Sequence, residues 1–161
     1  MALTRDSIVY DVGAGSGSVT VEAARLARDG RVFAIERKED ALALTRRNVE
    51  NFHLTNVEFV AGCAPEAMES LPPPTHVFIG GSAGNLRGII RCAQEKNPGA
   101  RFVVTAVTLE TVSELIEIGK EFECCDVVQL NVSKPRRLGG YALMTAQNPV
   151  YIYTLQNGVS S

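Results

Sequence analysis

The sequence lacks several things that would place it in another class. Hydrophobic residues make up 45% of its 161 positions, yet none of their short runs reaches the roughly 18 apolar residues of a membrane-spanning helix. No charged-then-apolar leader of the secretory kind opens the chain, so the expected location is cytoplasmic, with no membrane partner. An excess of positive charge is also missing. Sixteen Lys and Arg stand against eighteen Asp and Glu, which provides no general field for nucleic acid. The four cysteines (Cys63, Cys92, Cys124 and Cys125) contain no C-x-x-C pair, and His53 and His76 stand apart from them. That pattern predicts reduced, mostly structural thiols and no metal site. Residues 1–161 are long enough for one domain with a substantial core.

What is present is organised around residues 8–18, IVYDVGAGSGS. Ile8, Val9, Tyr10 and Val12 read as a buried first strand, and the glycines after them permit a tight turn with close ligand approach. Ser16 to Thr20 lead into a helix, whose first free N–H groups face whatever sits on the turn. Strand, glycine turn and helix form the nucleotide-binding corner of a doubly wound α/β domain. A dinucleotide fingerprint needs G-x-G-x-x-G/A here. Gly13 and Gly15 fit it, but Ser18 occupies the last place and Gly17 comes early. Asp11 points elsewhere. A carboxylate two residues before the first glycine would repel a pyrophosphate and would suit the sulfonium and ammonium groups of S-adenosylmethionine. The expected cofactor turn is Asp11, Gly13, Ala14, Gly15, Gly17 and Ser18.

The rest of the chain supports an alternating series. Val19, Ala23, Leu26 and Ala27 mark the inward face of a first helix ending near Asp29-Gly30. A second strand, RVFAIE, ends on Glu36, close to the ~20 residues that separate the glycines from a ribose-binding acid in such folds. Glu36 is therefore the expected acceptor of the ribose hydroxyls, with Arg37 beside it. A second helix over 38–52 turns Leu42, Thr45, Val49 and Phe52 inward. A third strand over 57–60 leads to Gly62, Cys63 and Ala64, a loop placed to read the adenine. The fourth strand, from His76, runs out into Gly80, Gly81 and Ser82. Its His76 lies at the end away from the crevice. Leu86, Ile89, Ile90 and Ala93 face the sheet, and a fifth strand over 102–107 reaches Thr108, a candidate helix N-cap. Leu109, Val112, Leu115, Ile116 and Gly119 form the next inward stripe. A sixth strand over 123–132 follows, then a basic connection over 133–140, a β segment over 141–146 and a closing strand over 150–155. This strand-rich end favours a methyltransferase sheet with an antiparallel closing strand over the fully parallel dehydrogenase pattern.

At this level of detail the stretches YDVGAGSGSVTVEAA, FAIERKEDALALTRRN, GCAPEAM, VFIGGSAG, AVTLET and LGGYALMTAQNPVYI resemble the decarboxylating carbon-15 methyltransferases of cobalamin biosynthesis. The resemblance covers nearly the whole chain. It implies a class I methyltransferase fold of Rossmann-like α/β type, and S-adenosyl-L-methionine as cofactor. It implies methylation of a precorrin or cobalt-precorrin with loss of carbon dioxide from a ring acetate. It also implies a homotetramer and, in some relatives, a fused domain that methylates ring carbon 5. The short approach to the first strand favours an excised C-terminal domain. Thr105, Thr108 and Glu110 are placed near the reacting ring, and Gly80 and Gly81 on the cofactor side. Ser82, Arg136 and Arg137, with Lys134, are placed where they meet a polycarboxylate corrinoid. Two positions depart from the family habit: Cys63 stands where Asp is frequent, and Thr105 where Asn is frequent. The competing readings are another small-molecule or RNA methyltransferase, a nicotinamide enzyme, and a cofactor-binding assembly domain without turnover.

Overall fold

The computed structural model describes residues 1–158; the last three positions of the expected 1–161 domain lie outside them. The first half runs β1 (Ile8–Val12), α1 (Ser18–Leu26), β2 (Arg31–Glu36), α2 (Glu39–Asn51) and β3 (Val57–Ala61). A short 3-10 turn over Glu66–Met68 leads to β4 (His76–Ile79), α3 (Leu86–Lys96), β5 (Arg101–Ala106) and α4 (Leu109–Gly119). Four strands follow without an intervening helix: β6 (Cys124–Leu130), β7 (Ser133–Leu138), β8 (Tyr141–Ala146) and β9 (Val150–Gln156).

Seven strands form one sheet in the order β3-β2-β1-β4-β5-β9-β6. β1 to β5 pair in parallel, and β9 runs antiparallel to both β5 and β6. The sequence order reverses between β1 and β4, which opens a crevice at the carboxyl ends of those strands. The mostly parallel sheet with one antiparallel strand is as expected, with one correction. β9 does not close the sheet at its edge; it is inserted between β5 and β6, and β6 is the edge strand.

The central strands are apolar because both of their faces are covered. Alternation along β1 sorts its side chains. Val9 packs with Ala23, Ala24 and Ala27 of the α1 side, while Tyr10 and Val12 join Leu86, Ile89 and Leu115 in the larger cluster on the other face. The Tyr10 hydroxyl reaches the carbonyl of Pro72 at 2.5 Å, fixing the proline loop to the core.

Several helix faces differ from the sequence reading. In α1 the buried residues are Thr20, Val21, Ala23 and Ala24, and Leu26 faces out. Small side chains let this helix lie close on the sheet, and close approach decided its rotation more than side-chain size. Phe52 is exposed with the Arg25 guanidinium 5.9 Å from its ring centre. In α4, Leu115, Ile118 and Gly119 are buried, whereas Leu109 and Ile116 are exposed. The predicted faces of α2 (apart from Phe52) and α3 match the buried residues.

The largest difference is at residues 133–140. The expected connection is strand β7, paired antiparallel with β8 as a separate two-stranded sheet. Pro135 and three basic residues mask the strand pattern, but a two-stranded ribbon has a free edge and two open faces that tolerate both. Every residue of β6, β7 and β8 is exposed. The four cysteines are free, and all but Cys92 are exposed. No helix among the described residues is long and apolar enough to cross a membrane.

Candidate active site

The glycine turn after β1 is held from several sides. Gly13 and Ala14 donate their backbone N–H groups to the Ile35 carbonyl at 2.9 and 3.2 Å. On α2, the Thr45 hydroxyl donates to the Gly15 carbonyl at 3.0 Å, and the Asn48 amide donates to the Ser16 carbonyl at 2.7 Å. Gly17, at φ +78°, lies so near Thr45 that a Cβ would meet its methyl at 2.7 Å. The turn is therefore a packed element with a fixed backbone rather than a loose loop.

Beside it lies a cavity of about 300 Å³ at the carboxyl ends of β1, β2 and β4. Its wall brings together Gly13, Gly15, Glu36, Arg37, Gly62, Cys63, Ala64, Gly81 and Ser82, all expected site residues drawn from four separate turns. Ser82, expected at the substrate, stands on this same wall. Val12, Ile35, Lys38, Ala41, Ala83 and Ile89 also line the cavity and were missed. Val12 and Ile35 looked like plain core; their position one residue before Gly13 and Glu36 was the available signal.

Glu36 is oriented before any ligand arrives. One carboxylate oxygen accepts from the Gly15 N–H at 3.1 Å, and the other from the Lys38 N–H at 2.9 Å. Each oxygen keeps a lone pair for a further donor, which suits two neighbouring ribose hydroxyls. Glu36→Ala is expected to weaken S-adenosylhomocysteine binding by roughly 1–3 kcal/mol, read by calorimetry. Unchanged affinity would remove the ribose assignment.

Asp11 is placed differently from expectation. It shares the α1 side of the sheet with Val9, is 1% exposed, and does not line the cavity. The Thr20 hydroxyl donates to its Oδ2, while Oδ1 is buried with no hydrogen-bond partner. Burial pushes its carboxyl up to about 6, against the pull of Thr20, and the like charge of Glu36 adds to the rise. Strand alternation is the cause: Val12 faces the cavity side and Asp11 must face away from it. Ala14, Gly17, Ser18 and Gly80 likewise shape the turns without lining the cavity.

The expected catalytic residues lie at the same end of the sheet, outside the cavity wall. Thr105 is the penultimate residue of β5, with its hydroxyl 3.4 Å from the Ile79 carbonyl. Thr108 is the N-cap of α4, accepting from the Thr111 N–H at 3.3 Å, and Glu110 is exposed in the first turn. Arg136 and Arg137 lie on the β7–β8 ribbon, opposite Leu143 and Ala142. Neighbours on one strand project to opposite faces, so the two guanidinium groups do not act on one ligand together from that ribbon. His76, half-buried at the amino end of β4, has its ring at 2.9 Å from the Thr75 hydroxyl, away from the crevice.

The cavity wall combines a carboxylate held by two backbone N–H groups with small residues and a glycine turn. These features fit S-adenosylmethionine. A family model described as a precorrin methyltransferase domain matches residues 1–157. The chain belongs to the precorrin methyltransferase family. A Pyrobaculum calidifontis relative, described as a probable cobalt-precorrin-6B C(15)-methyltransferase (decarboxylating), is 42% identical over 96% of this chain and 80% of its own length. Among solved structures, a precorrin-6y C5,15-methyltransferase from Geobacter metallireducens superposes on this chain with a TM-score of 0.87. It is 38% identical, over 97% of this chain and 84% of its own. A precorrin 8W decarboxylase from Methanobacterium thermoautotrophicum gives a TM-score of 0.84 and 36% identity, over 97% of this chain and 83% of its own. The fold is the α/β Rossmann-like fold of class I methyltransferases.

Proposed function

We propose that this chain methylates ring carbon 15 of a precorrin or cobalt-precorrin and removes carbon dioxide from a ring acetate, using S-adenosylmethionine. The observation that carries the reading is the 42% identity, across 96% of the chain, to a relative described by that reaction. The cavity supports the cofactor part of the reading, since it holds the oriented Glu36 carboxylate among four turns of small residues.

When bound, S-adenosylmethionine supplies a methyl group on a cationic sulfur that needs no further activation. The chain's residues have to bind, orient and keep water away. Glu36 anchors the ribose, and the loop at Gly62, Cys63 and Ala64 borders the base. Gly13 and Gly81, at the ends of adjacent strands, let the methyl donor lie close to the backbone. The corner from Thr105 to Glu110 lies on the next strand end, where the corrinoid would be presented. Thr108 is already engaged as a helix cap, so its part is to hold that corner rather than to move a proton.

A homotetramer in the cytoplasm belongs to the same proposal, as does a parent enzyme with a fused carbon-5 domain. Its support is the apolar surface on the strand-rich end: Val127, Val128, Leu130, Leu138, Tyr141, Leu143 and Met144 are all exposed. Size in solution by light scattering tests this part.

The test of the reaction supplies labelled cofactor with cobalt-containing and cobalt-free precursors, and follows methyl addition and carbon dioxide release together. Both are expected with one of the precursors. Methyl addition without carbon dioxide would reject the decarboxylating assignment.

A further inference from the structure

The sheet order fixes which way a bound nucleoside runs. Glu36 ends β2, which stands between β1 on one side and the edge strand β3 on the other. The corner from Thr105 to Glu110, where the methyl acceptor is presented, follows β5, on the β1 side. A ribose held at Glu36 therefore sends its methyl-bearing end across β1 and β4, and its base toward β3. The turn that receives the base has a fixed backbone: Gly62 donates to the Glu36 carbonyl at 3.1 Å, and the Cys63 carbonyl accepts from the Ala67 N–H at 2.9 Å. β3 has no strand beyond it among the described residues, and Ala61 and Cys63 are exposed. The base end of the cavity thus opens past the rim of the sheet. Few wall side chains can read that end. The Glu36 carboxylate, the Ser82 hydroxyl and, weakly, the Cys63 thiol are the ones that accept hydrogen bonds. Both Glu36 oxygens are already oriented by the Gly15 and Lys38 N–H groups. Ser82 follows β4, three places from β3 in the sheet, roughly 14 Å away at the ordinary strand spacing. Arg37 and Lys38 only donate. A short thiol is what remains to face the exocyclic amine of an adenine, a group that itself needs an acceptor.

We propose that the exocyclic amine of the base is left unread and faces water past β3, so that the site accepts adenosyl ligands whose amine is removed or carries an added group. This rests on the reading of the cavity as an S-adenosylmethionine site with the acceptor at the β5 corner. A site that pairs a buried acceptor with an amine strongly rejects the analogue lacking it, because the acceptor is then stranded. A wall of small side chains discriminates weakly. Here the ribose contact and the turns supply the affinity, and the amine keeps its water. A substituent on that amine extends past the edge strand instead of meeting a neighbouring one. Cys63 sets this tolerance: a carboxylate in its place would accept from the amine, and a large side chain would close the opening.

The experiment is calorimetric titration of the whole chain with S-adenosylhomocysteine, its analogue lacking the exocyclic amine, and its analogue with a benzyl group on that amine. Wild type, Cys63→Asp and Cys63→Phe are compared. Both analogues are expected to bind the wild type within about tenfold of the parent compound. Cys63→Asp should shift the preference toward S-adenosylhomocysteine over the amine-free analogue by about tenfold. Cys63→Phe should shift it against the benzyl analogue by about tenfold or more. A larger wild-type loss with either analogue would overturn the proposal, whether or not the variants fold. So would a folded Cys63→Asp or Cys63→Phe that leaves its ratio unchanged, since the base would then lie elsewhere. Failure to bind any of the three ligands would instead overturn the cofactor reading, and the proposal with it.

Discussion

Asp11→Asn is expected to flatten the pH dependence of the ligand-free protein's stability by several-fold in its slope between about pH 4 and pH 6. Asp11 has an ordinary value of 3.8 and is raised to about 6 when folded. Between these values the folded chain holds more protons than the unfolded one, so stability falls as pH rises. The contribution is fully present below about pH 4 and lost above about pH 6, amounting to something on the order of 3 kcal/mol. Asn cannot titrate and removes that slope. Urea denaturation at about pH 4.5 and at pH 7 reads the difference between the two proteins. Parallel pH profiles for wild type and variant would show that Asp11 is not the titrating group. A variant with a flat profile and full donor affinity would mean that the buried charge serves only the fold.

The second large effect is expected from Gly13→Ala. Gly13 has φ +75°, and a Cβ there would lie 2.9 Å from both the N and the O of Gly81. The left-handed backbone costs roughly 1–2 kcal/mol for a side chain. The contact is with backbone, so relief requires the ends of β1 and β4 to separate. Together these should destabilise by on the order of 2–4 kcal/mol and lower Tm by roughly 5–15 °C. Gly81→Ala is the control, because a Cβ at Gly81 meets nothing within 4 Å. Its methyl points into open space beside the cavity, and it should leave Tm nearly unchanged while disturbing the cofactor. Equal melting temperatures for the two variants would contradict the packing argument.

Much of the site was legible because its signals are local. Glycines demanded by a turn, an acid ending a buried strand and a second glycine pair all lie within a few residues of the backbone they shape. Their convergence on one cavity follows from the βαβ order. What stayed hidden depends on which face a side chain takes. Asp11 was assigned to the ligand by charge, whereas alternation with Val12 turns it to the α1 side. Val9 and Thr20 were the residues that signalled this. Leu26, Leu109 and Ile116 fit the helical period but lost the inward position to smaller or better-placed neighbours. At β7, Pro135 and the basic residues concealed a strand whose partner, β8, was recognised. Arg136 and Arg137, adjacent in sequence, are separated by the same alternation that displaced Asp11.

The place of β9 has a consequence for how the chain is made. β5 is complete by Ala106, yet one of its edges pairs only with β9, which begins at Val150. β6 is made earlier, and its own sheet partner is again β9. During synthesis both edges wait, open to pairing with other chains, until a strand from much later in the sequence slides between them. The parallel pairings from β1 to β5 are complete without β9, whereas β6 belongs to the sheet through that one late strand alone.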